Sequence, residues 1–493
     1  MLLNNLLTKL QFEKIQGSLD KQVQSIAYNS NEVTEKGVFV AITGFMEDGH
    51  HYISEAIKQG ATVIILEKNI MIEESQNVTV LKVENSREAL ALITNAFYSN
   101  PGDNLHLIGI TGTNGKTSTT YLLKSIFESA ERSFSLIGTN GTIINNKKIE
   151  NKTTTPEALE LQQLLSEINQ LNISTCMMEV SSHALELSRV DTLNFDIGIF
   201  MNLTPDHLEM HKTMEGYFQA KAKLFDLTNR FNIINVDDPY GKRLVKDLET
   251  KEAKTVTFGI NEDADIYPTN IEYSFNQTSF TVHTPVESAD ITVNIPGKIY
   301  LYNSLAAIAT AVCSDIPMDF IQKGFAQIEH IKGRLELVYN SSELKVIIDF
   351  AHTEDALKNV LETIRPFVTG RLILVFGVYA DMSESGKHKR IGMGKVAAHY
   401  ADFSVVTSDN PKMNDAEQIL QEISVAVEKY DGNYKAILDR KDAIDYAVQM
   451  AEENDVILIA GKGHETSQII GTEAIPFSEK EIVLEAINRK KLK

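Results

Sequence analysis

Short apolar runs alternate along this chain with stretches in which apolar residues return every three or four positions. Gly37 to Ile42, Ala61 to Leu66 and Val78 to Val83 read as strands, and Ile53 to Lys58 as a helix. The polar stretch Tyr98-Ser99-Asn100-Pro101-Gly102-Asp103-Asn104 breaks this pattern and marks a linker. Beyond it, Leu105-His106-Leu107-Ile108 alternates like a buried strand, and Tyr121, Leu122, Leu123, Ile126 and Phe127 line one face of a helix. Strand and helix go on alternating, which predicts a largely parallel sheet. Asp263 to Ile295 is different: strand-rich with little helix, it predicts a small antiparallel subdomain. After a break near Gly333-Arg334 come the apolar runs Val346 to Ile348, Leu372 to Phe376, Phe403 to Val406 and Val456 to Ala460. They predict a second doubly wound layer, this time without a glycine-rich loop at its start. Met1 to Leu10 predicts an amphipathic helix.

The pattern therefore predicts an α/β protein of three domains, residues 1–103, 104–330 and 331–493. Length agrees, since 493 residues are too many for one core. A hydrophobic share of 43% and a charged share of 23% are those of an ordinary globular protein. The formal net charge of −20 argues against nucleic acid as a partner, because a phosphate backbone needs a basic face. It leaves room for an anionic small molecule in a local basic pocket. Cys176 and Cys313 stand in unrelated contexts and read as small core residues, not as a disulfide or a metal cluster. No stretch has the length to span a bilayer or the apolar core of a signal peptide. The expectation is a cytoplasmic monomer that acts on small molecules and does not insert into membranes.

The densest chemistry lies in Gly109-Ile110-Thr111-Gly112-Thr113-Asn114-Gly115-Lys116-Thr117-Ser118, between a strand and a helix. Gly112 and Gly115 let backbone N–H groups turn toward an anion, Lys116 supplies a mobile positive charge, and the Thr117 hydroxyl can ligate Mg²⁺. These are the parts of a phosphate cradle. The strict pattern places a glycine where Ile110 stands, so the loop is a variant. No Asn-Lys-x-Asp motif is present, which disfavours a GTP-driven switch.

Four further motifs follow in order: Thr154-Thr155-Pro156-Glu157, Glu179-Val180-Ser181-Ser182-His183, Asn202-Leu203-Thr204-Pro205-Asp206-His207-Leu208 and Asp349-Phe350-Ala351-His352-Thr353. Together with the loop, the series resembles the Mur ligases of peptidoglycan synthesis, and most closely their MurE type, the UDP-N-acetylmuramoyl-tripeptide synthetases. The resemblance covers essentially the whole chain. It implies a central P-loop ATPase domain with a parallel sheet, flanked by an N-terminal α/β domain for the UDP-sugar peptide and a C-terminal Rossmann-like domain for the amino acid. ATP and Mg²⁺ are the implied cofactors. ATP phosphorylates a carboxylate of the UDP-N-acetylmuramoyl-peptide, and the amine of an amino acid attacks the acyl phosphate to form an amide. Such chemistry rests on positioning and charge neutralisation.

The resemblance also distributes roles. Thr111, Gly112, Thr113, Asn114, Gly115, Lys116 and Thr117 would cradle the ATP phosphates, with Asn303 on the adenine side, Arg334 and Asp349 nearby, and His352 toward the phosphates. Glu179 and His207 would ligate metal, although alone they read as a capping carboxylate and a satisfied histidine. Lys221 sits where the family carries a carbamylated lysine; on residue type alone a helical lysine, like its neighbour Lys223, reads as a solvated charge. Lys116, Glu179, His207 and Lys221 would form the catalytic set. Ser30, Thr154, Thr155, Ser181 and Arg189 would bind the UDP-sugar peptide. Asp409, Asn410, Lys412 and Glu465 would bind the amino acid, and Glu465 favours one with a side-chain amine, meso-diaminopimelate or L-lysine.

The chain departs from the family pattern in four places. Asn29-Ser30-Asn31 replaces Asp-Ser-Arg, and Tyr300 stands where the first asparagine before Asn303 is usual. Tyr379-Ala380-Asp381-Met382-Ser383 replaces Gly-Gly-Asp-Arg-Asp, so the arginine for the incoming carboxylate is Met382, with Lys387, Lys389 and Arg390 as nearby substitutes. Asp409-Asn410-Pro411-Lys412 ends in lysine, which keeps charge but lacks the arginine fork. The loss at Met382 motivates one alternative, a nucleotide-binding paralogue without ligase activity. Retention of the four catalytic residues opposes it. A folylpolyglutamate-synthase-like ligase is a second alternative, opposed by Thr154-Thr155-Pro156-Glu157 and Asp409-Asn410-Pro411.

Overall fold

The computed structural model describes all residues except 45–46, 73–76, 146, 262, 380–381 and 492–493. The N-terminal sheet runs Glu13–Gln16, Thr79–Lys82, Ala61–Leu66, Gly37–Val40, Ser25–Ala27, parallel except for its first pairing. The helix expected over Met1 to Leu10 shrinks to Leu3–Leu6. Leu2 bridges to Gln22 and the Leu3 N–H donates to the Lys21 carbonyl at 2.9 Å, so chain pairing competes with further winding.

The central sheet has eight strands in the order Lys254–Phe258, Thr228–Asn235, Phe195–Phe200, His106–Thr111, Thr175–Glu179, Phe134–Gly138, Gly141–Ile144, Lys147–Ile149. The first six are parallel and the last two form antiparallel pairings. Ile110 pairs with Glu179 and Thr111 with Phe200, so the phosphate loop, Glu179 and the loop after Phe200 leave the sheet at one level. Ligands of open α/β sheets bind at such C-terminal strand ends, where the strand order reverses. The antiparallel subdomain exists as Tyr267–Tyr273, Thr278–His283 and Ser288–Val293. Its Phe280, Val282, Ile291 and Val293 share one core with the helix Lys298–Cys313 and with Ile108 and Ile110.

The C-terminal sheet runs Glu336–Asn340, Leu344–Asp349, Asp455–Ala460, Leu372–Phe376, Phe403–Val406, Tyr434–Ala436, parallel after its first pairing. Here too the ends are level: Asp349 and Phe376 both pair with Ala460, and Phe376 with Val406. Four loops, those after 349, 376, 406 and 460, therefore open at one edge. Cys176 is buried and Cys313 half-buried against the main core, as small core residues. Among the described residues no helix is long and apolar enough to cross a membrane.

Candidate active site

The phosphate loop joins the strand His106–Thr111 to the helix Lys116–Ser129. Gly115 has φ +93°, and a Cβ there would stand 2.5 Å from Asn303 Oδ1, so the turn demands glycine. Asn202 hangs the loop from the neighbouring strand end. Its Oδ1 accepts from the Asn114 N–H at 2.9 Å, its carbonyl from the Thr113 N–H at 3.0 Å, and its Nδ2 donates to the Asn114 carbonyl at 3.1 Å. Lys116 Nζ donates to the carbonyls of Gly112 and Thr113, at 2.7 and 3.0 Å. Burial holds this ammonium below the usual lysine range, against the pull of Glu179 and Asp206. Asn303 is buried, and its Nδ2 has no hydrogen-bond partner among the described residues.

Glu179 is wholly buried at the end of its strand and surrounded by hydroxyls. Its Oε2 accepts from Thr117 and Thr139 hydroxyls, each at 2.9 Å, while Oε1 accepts from the Thr139 N–H at 3.0 Å. Gly138 makes room for it, since a Cβ there would lie 2.2 Å from Glu179 Oε1. Arg334 reaches across from the third domain, donating to Thr117 Oγ1 at 3.2 Å with its guanidinium over the Phe350 ring. Asp349 accepts from the N–H groups of Leu335 and Ala351, both at 2.7 Å, and so shapes the turn that carries Arg334. His352 donates to the Phe350 carbonyl at 2.9 Å and is pushed down to about 4 by burial and by Lys389.

Lys221 is only 1% exposed, not the solvated charge that its residue type suggests. Its Nζ donates to the Gly112 carbonyl at 3.0 Å, the oxygen that also receives Lys116. Burial first, then the Lys116 charge, hold it well below the usual lysine range. Lys223 does behave as a surface charge, paired with Glu186 at 2.7 Å. His207 is half-exposed with φ +54°, between Asp206 at 3.3 Å and Glu209 at 3.5 Å, and its ring lies 4.8 Å from that of His183. Among the described residues, no group of three or more His, Cys, Asp and Glu side chains is placed to hold a metal unaided.

On the other side of Glu179, the Thr154 hydroxyl pairs with that of Thr139 at 3.0 Å. Thr155 Oγ1 donates to the Glu179 carbonyl at 2.8 Å and lies 3.3 Å from Ser181 Oγ. Arg189 donates to the Thr155 carbonyl at 2.9 Å and pairs with Glu157, which also meets Arg87 of the N-terminal domain at 3.5 Å. Ser30 is buried in the turn Ser30–Glu32; no hydrogen bond among the described residues joins it to this group.

In the third domain, Asn410 Nδ2 donates to Glu465 Oε2 at 2.9 Å. Lys462, fully buried, donates to Asn410 Oδ1 at 2.9 Å and to Glu465 Oε2 at 2.7 Å. Lys412 lies over the Tyr379 ring and donates to its hydroxyl. Ala380 and Asp381 lie outside the described residues; Met382 is 40% exposed. Of the three basic residues after it, Arg390 is buried against Glu422 at 2.6 Å and Lys387 is exposed. Lys389 alone turns to the central domain, 3.8 Å from Asp206.

Family models match all three domains: the Mur ligase family catalytic domain over residues 22–98, the Mur ligase middle domain over 110–311, and the Mur ligase glutamate ligase domain over 333–463. The chain is 43% identical over 492 residues to the UDP-N-acetylmuramoyl-L-alanyl-D-glutamate–2,6-diaminopimelate ligase of Alkaliphilus oremlandii, with 100% of both chains covered. The chain belongs to the Mur ligase family. A solved UDP-N-acetylmuramoyl-L-alanyl-D-glutamate–2,6-diaminopimelate ligase superposes with a TM-score of 0.70 at 26% identity, covering 100% of this chain and 99% of that one. The MurF ligase of Thermotoga maritima, solved in complex with ADP, shares the fold with a TM-score of 0.62 at 19% identity, covering 95% and 98%.

Several residues of this Mur ligase gave no signal of their own along the chain. Gly138 and Thr139 lie at a strand end that only the sheet order brings beside the loop, and although Asn202 opens the Asn202-to-Leu208 motif, its place there does not show that it hangs the phosphate loop. Asp355 accepts from Asn114 Nδ2 at 2.9 Å and from the Thr204 hydroxyl at 3.3 Å, tying the third domain to the phosphate loop. Lys462, three residues before Glu465, is a loop lysine that residue type alone reads as a solvated charge. Gly138 is directly testable. Gly138→Ala should lower phosphate release by roughly 10²-fold, because a displacement of about 1 Å at a reacting group has that effect. Circular dichroism should remain that of the parent, since the clash is with a side chain. Release within twofold of the parent would show that the Glu179 carboxylate is free to move.

Proposed function

We propose that the chain is a cytoplasmic, monomeric ligase that uses ATP to add meso-diaminopimelate to UDP-N-acetylmuramoyl-L-alanyl-D-glutamate in peptidoglycan precursor synthesis. The observation that carries it is the Thr117–Glu179–Thr139 cluster, buried beside a phosphate loop and crossed by Arg334. Lys116 and the loop amides bind the ATP phosphates, with Asn303 toward the adenine, and Asp349 acts through the turn that holds Arg334. Thr154, Thr155, Ser181, Arg189 and Ser30 bind and orient the UDP-sugar peptide.

Mg²⁺ fits the donor set of Thr117 and Glu179, which is all oxygen; phosphate and water would supply the remaining ligands. When bound, the metal neutralises phosphate charge, and His207 and a carbamylated Lys221 are assigned to a second such position.

The choice of amino acid rests on charge. Glu465, whose Oε2 already accepts from Lys462 and Asn410, offers its other oxygen to a distal ammonium, and Lys412 at the neighbouring loop offers a cation to a distal carboxylate. Diaminopimelate has both groups, whereas L-lysine leaves Lys412 unmatched. Incubation with ATP, the UDP-linked dipeptide and a panel of amino acids, with products weighed by mass spectrometry, tests this. Diaminopimelate should be added with a kcat/KM roughly 10²-fold above that for L-lysine. Preferred addition of L-lysine would overturn the selectivity, glutamate addition would favour the folate-type alternative, and no product with any amino acid would favour a non-catalytic paralogue.

A further inference from the structure

Arg440 begins the helix Arg440–Met450, yet its side chain is 1% exposed and runs beneath the amino-acid pocket. The guanidinium forks between two loops. Nη2 donates to the Ala460 carbonyl at 2.8 Å, and Nη1 to the Ser408 carbonyl at 3.4 Å. Ser408 immediately precedes Asp409 and Ala460 immediately precedes Gly461, so each bond fixes the root of one motif. The two roots are in close contact: a Cβ on Gly461 would stand 2.6 Å from Asp409 Oδ2 and 3.8 Å from Arg440 Nη2. Glu479, also buried, is the counterion, accepting from Nε at 2.8 Å.

A fully buried ion pair is poor evidence for stability, since apolar residues of similar volume often serve as well. What apolar residues cannot do is donate to two carbonyls at a set spacing. Lysine, a single ammonium without the planar fork, cannot reproduce three bonds that leave separate nitrogens toward Glu479, Ser408 and Ala460. The spacing matters because Asn410 and Lys462, one from each loop, converge with Glu465 only when the roots are in register.

We propose that Arg440 is a positioning residue for the amino-acid pocket, holding the loops of Asp409–Lys412 and Gly461–Glu465 at the separation that pairs Asn410 with Lys462 and Glu465. It rests on the reading of this pocket given above, and parental addition of diaminopimelate tests that reading separately. The decisive comparison is Arg440→Lys against the double substitution Arg440→Met with Glu479→Leu, measured by the KM of each substrate, kcat and thermal unfolding. Arg440→Lys should raise the KM for diaminopimelate roughly tenfold, about the worth of one charge-assisted hydrogen bond. The KM values for ATP and the UDP-linked dipeptide should stay within about twofold. The double variant removes both buried charges together, so it should unfold near the parental temperature while keeping the raised KM. A double variant with parental stability and parental KM would overturn the proposal, as would an equal rise in all three KM values. If the parent adds diaminopimelate and Arg440→Lys leaves that KM unchanged, the pocket stands and Arg440 is only structural.

Discussion

Lys116→Ala is expected to reduce phosphate release below roughly one-thousandth of the parental rate while leaving the fold intact. A single donor aimed at developing charge is worth about 10²–10³ in rate, and Lys116 also carries a full charge. Phosphoryl transfer depends on such neutralisation more than on proton movement. The fold should survive because Asn202, not Lys116, holds the loop, through three separate hydrogen bonds. Among the described residues, the lysine's own bonds reach Gly112 and Thr113, within its loop. Burial already disfavours its charge, so removing it relieves a desolvation cost. Colorimetric phosphate release together with circular dichroism and a melting curve checks both halves. A folded variant that turns over within tenfold of the parent would remove Lys116 from the catalytic set.

Which parts of this site could be read from the chain follows from the range of each signal. The phosphate loop is contiguous, so its glycines, Lys116 and Thr117 are visible together, and strand alternation correctly implied a parallel sheet. The antiparallel insert at 267–293 was legible for the same reason, a local change of period. The N-terminal helix was overestimated because periodicity does not see the pairing of Leu2 with Gln22. Gly138 and Thr139 sit two strands from the loop, and nothing in their neighbours announces Glu179.

Burial was the quantity that residue type predicted least well. Lys221, Lys462, Arg390 and Arg440 are all enclosed, although cations on helices and loops are ordinarily solvated. Lys221, Arg390 and Arg440 are compensated by carbonyls or a carboxylate brought from distant segments, which is a fact of topology, whereas Lys462 pairs with the local Glu465 and with Asn410 of the neighbouring loop. Arg390 illustrates the consequence: as a nearby basic residue it looked available to replace the arginine lost at Met382, but its charge is engaged by Glu422. Lys389 is also paired with a carboxylate, Asp206 of the central domain at 3.8 Å.

Lys221→Ala should likewise lose activity by roughly 10²-fold or more, and small carboxylates such as acetate or formate should restore part of it. The argument begins with two amines on one carbonyl, Lys116 at 2.7 Å and Lys221 at 3.0 Å from the Gly112 oxygen. Two ammonium groups so close and so dry repel, and the more deeply buried one, Lys221, is held well below the usual lysine range. A neutral amine is the form that reacts with CO₂: the nitrogen lone pair forms an N–C bond, one proton leaves to solvent, and a carbamate results. The anion produced stands beside Lys116 and turns the repulsion into attraction. Alanine leaves a space that acetate can enter, so rescue is expected there. Lys221→Met fills the space with an uncharged chain of similar length, so it should be inactive and remain so with acetate. Carbon-13 NMR of the parent in labelled bicarbonate should show a carbamate resonance that Lys221→Met lacks. Rescue of both variants alike, or a parent without that resonance, would leave Lys221 as a neutral prop beneath the phosphate loop.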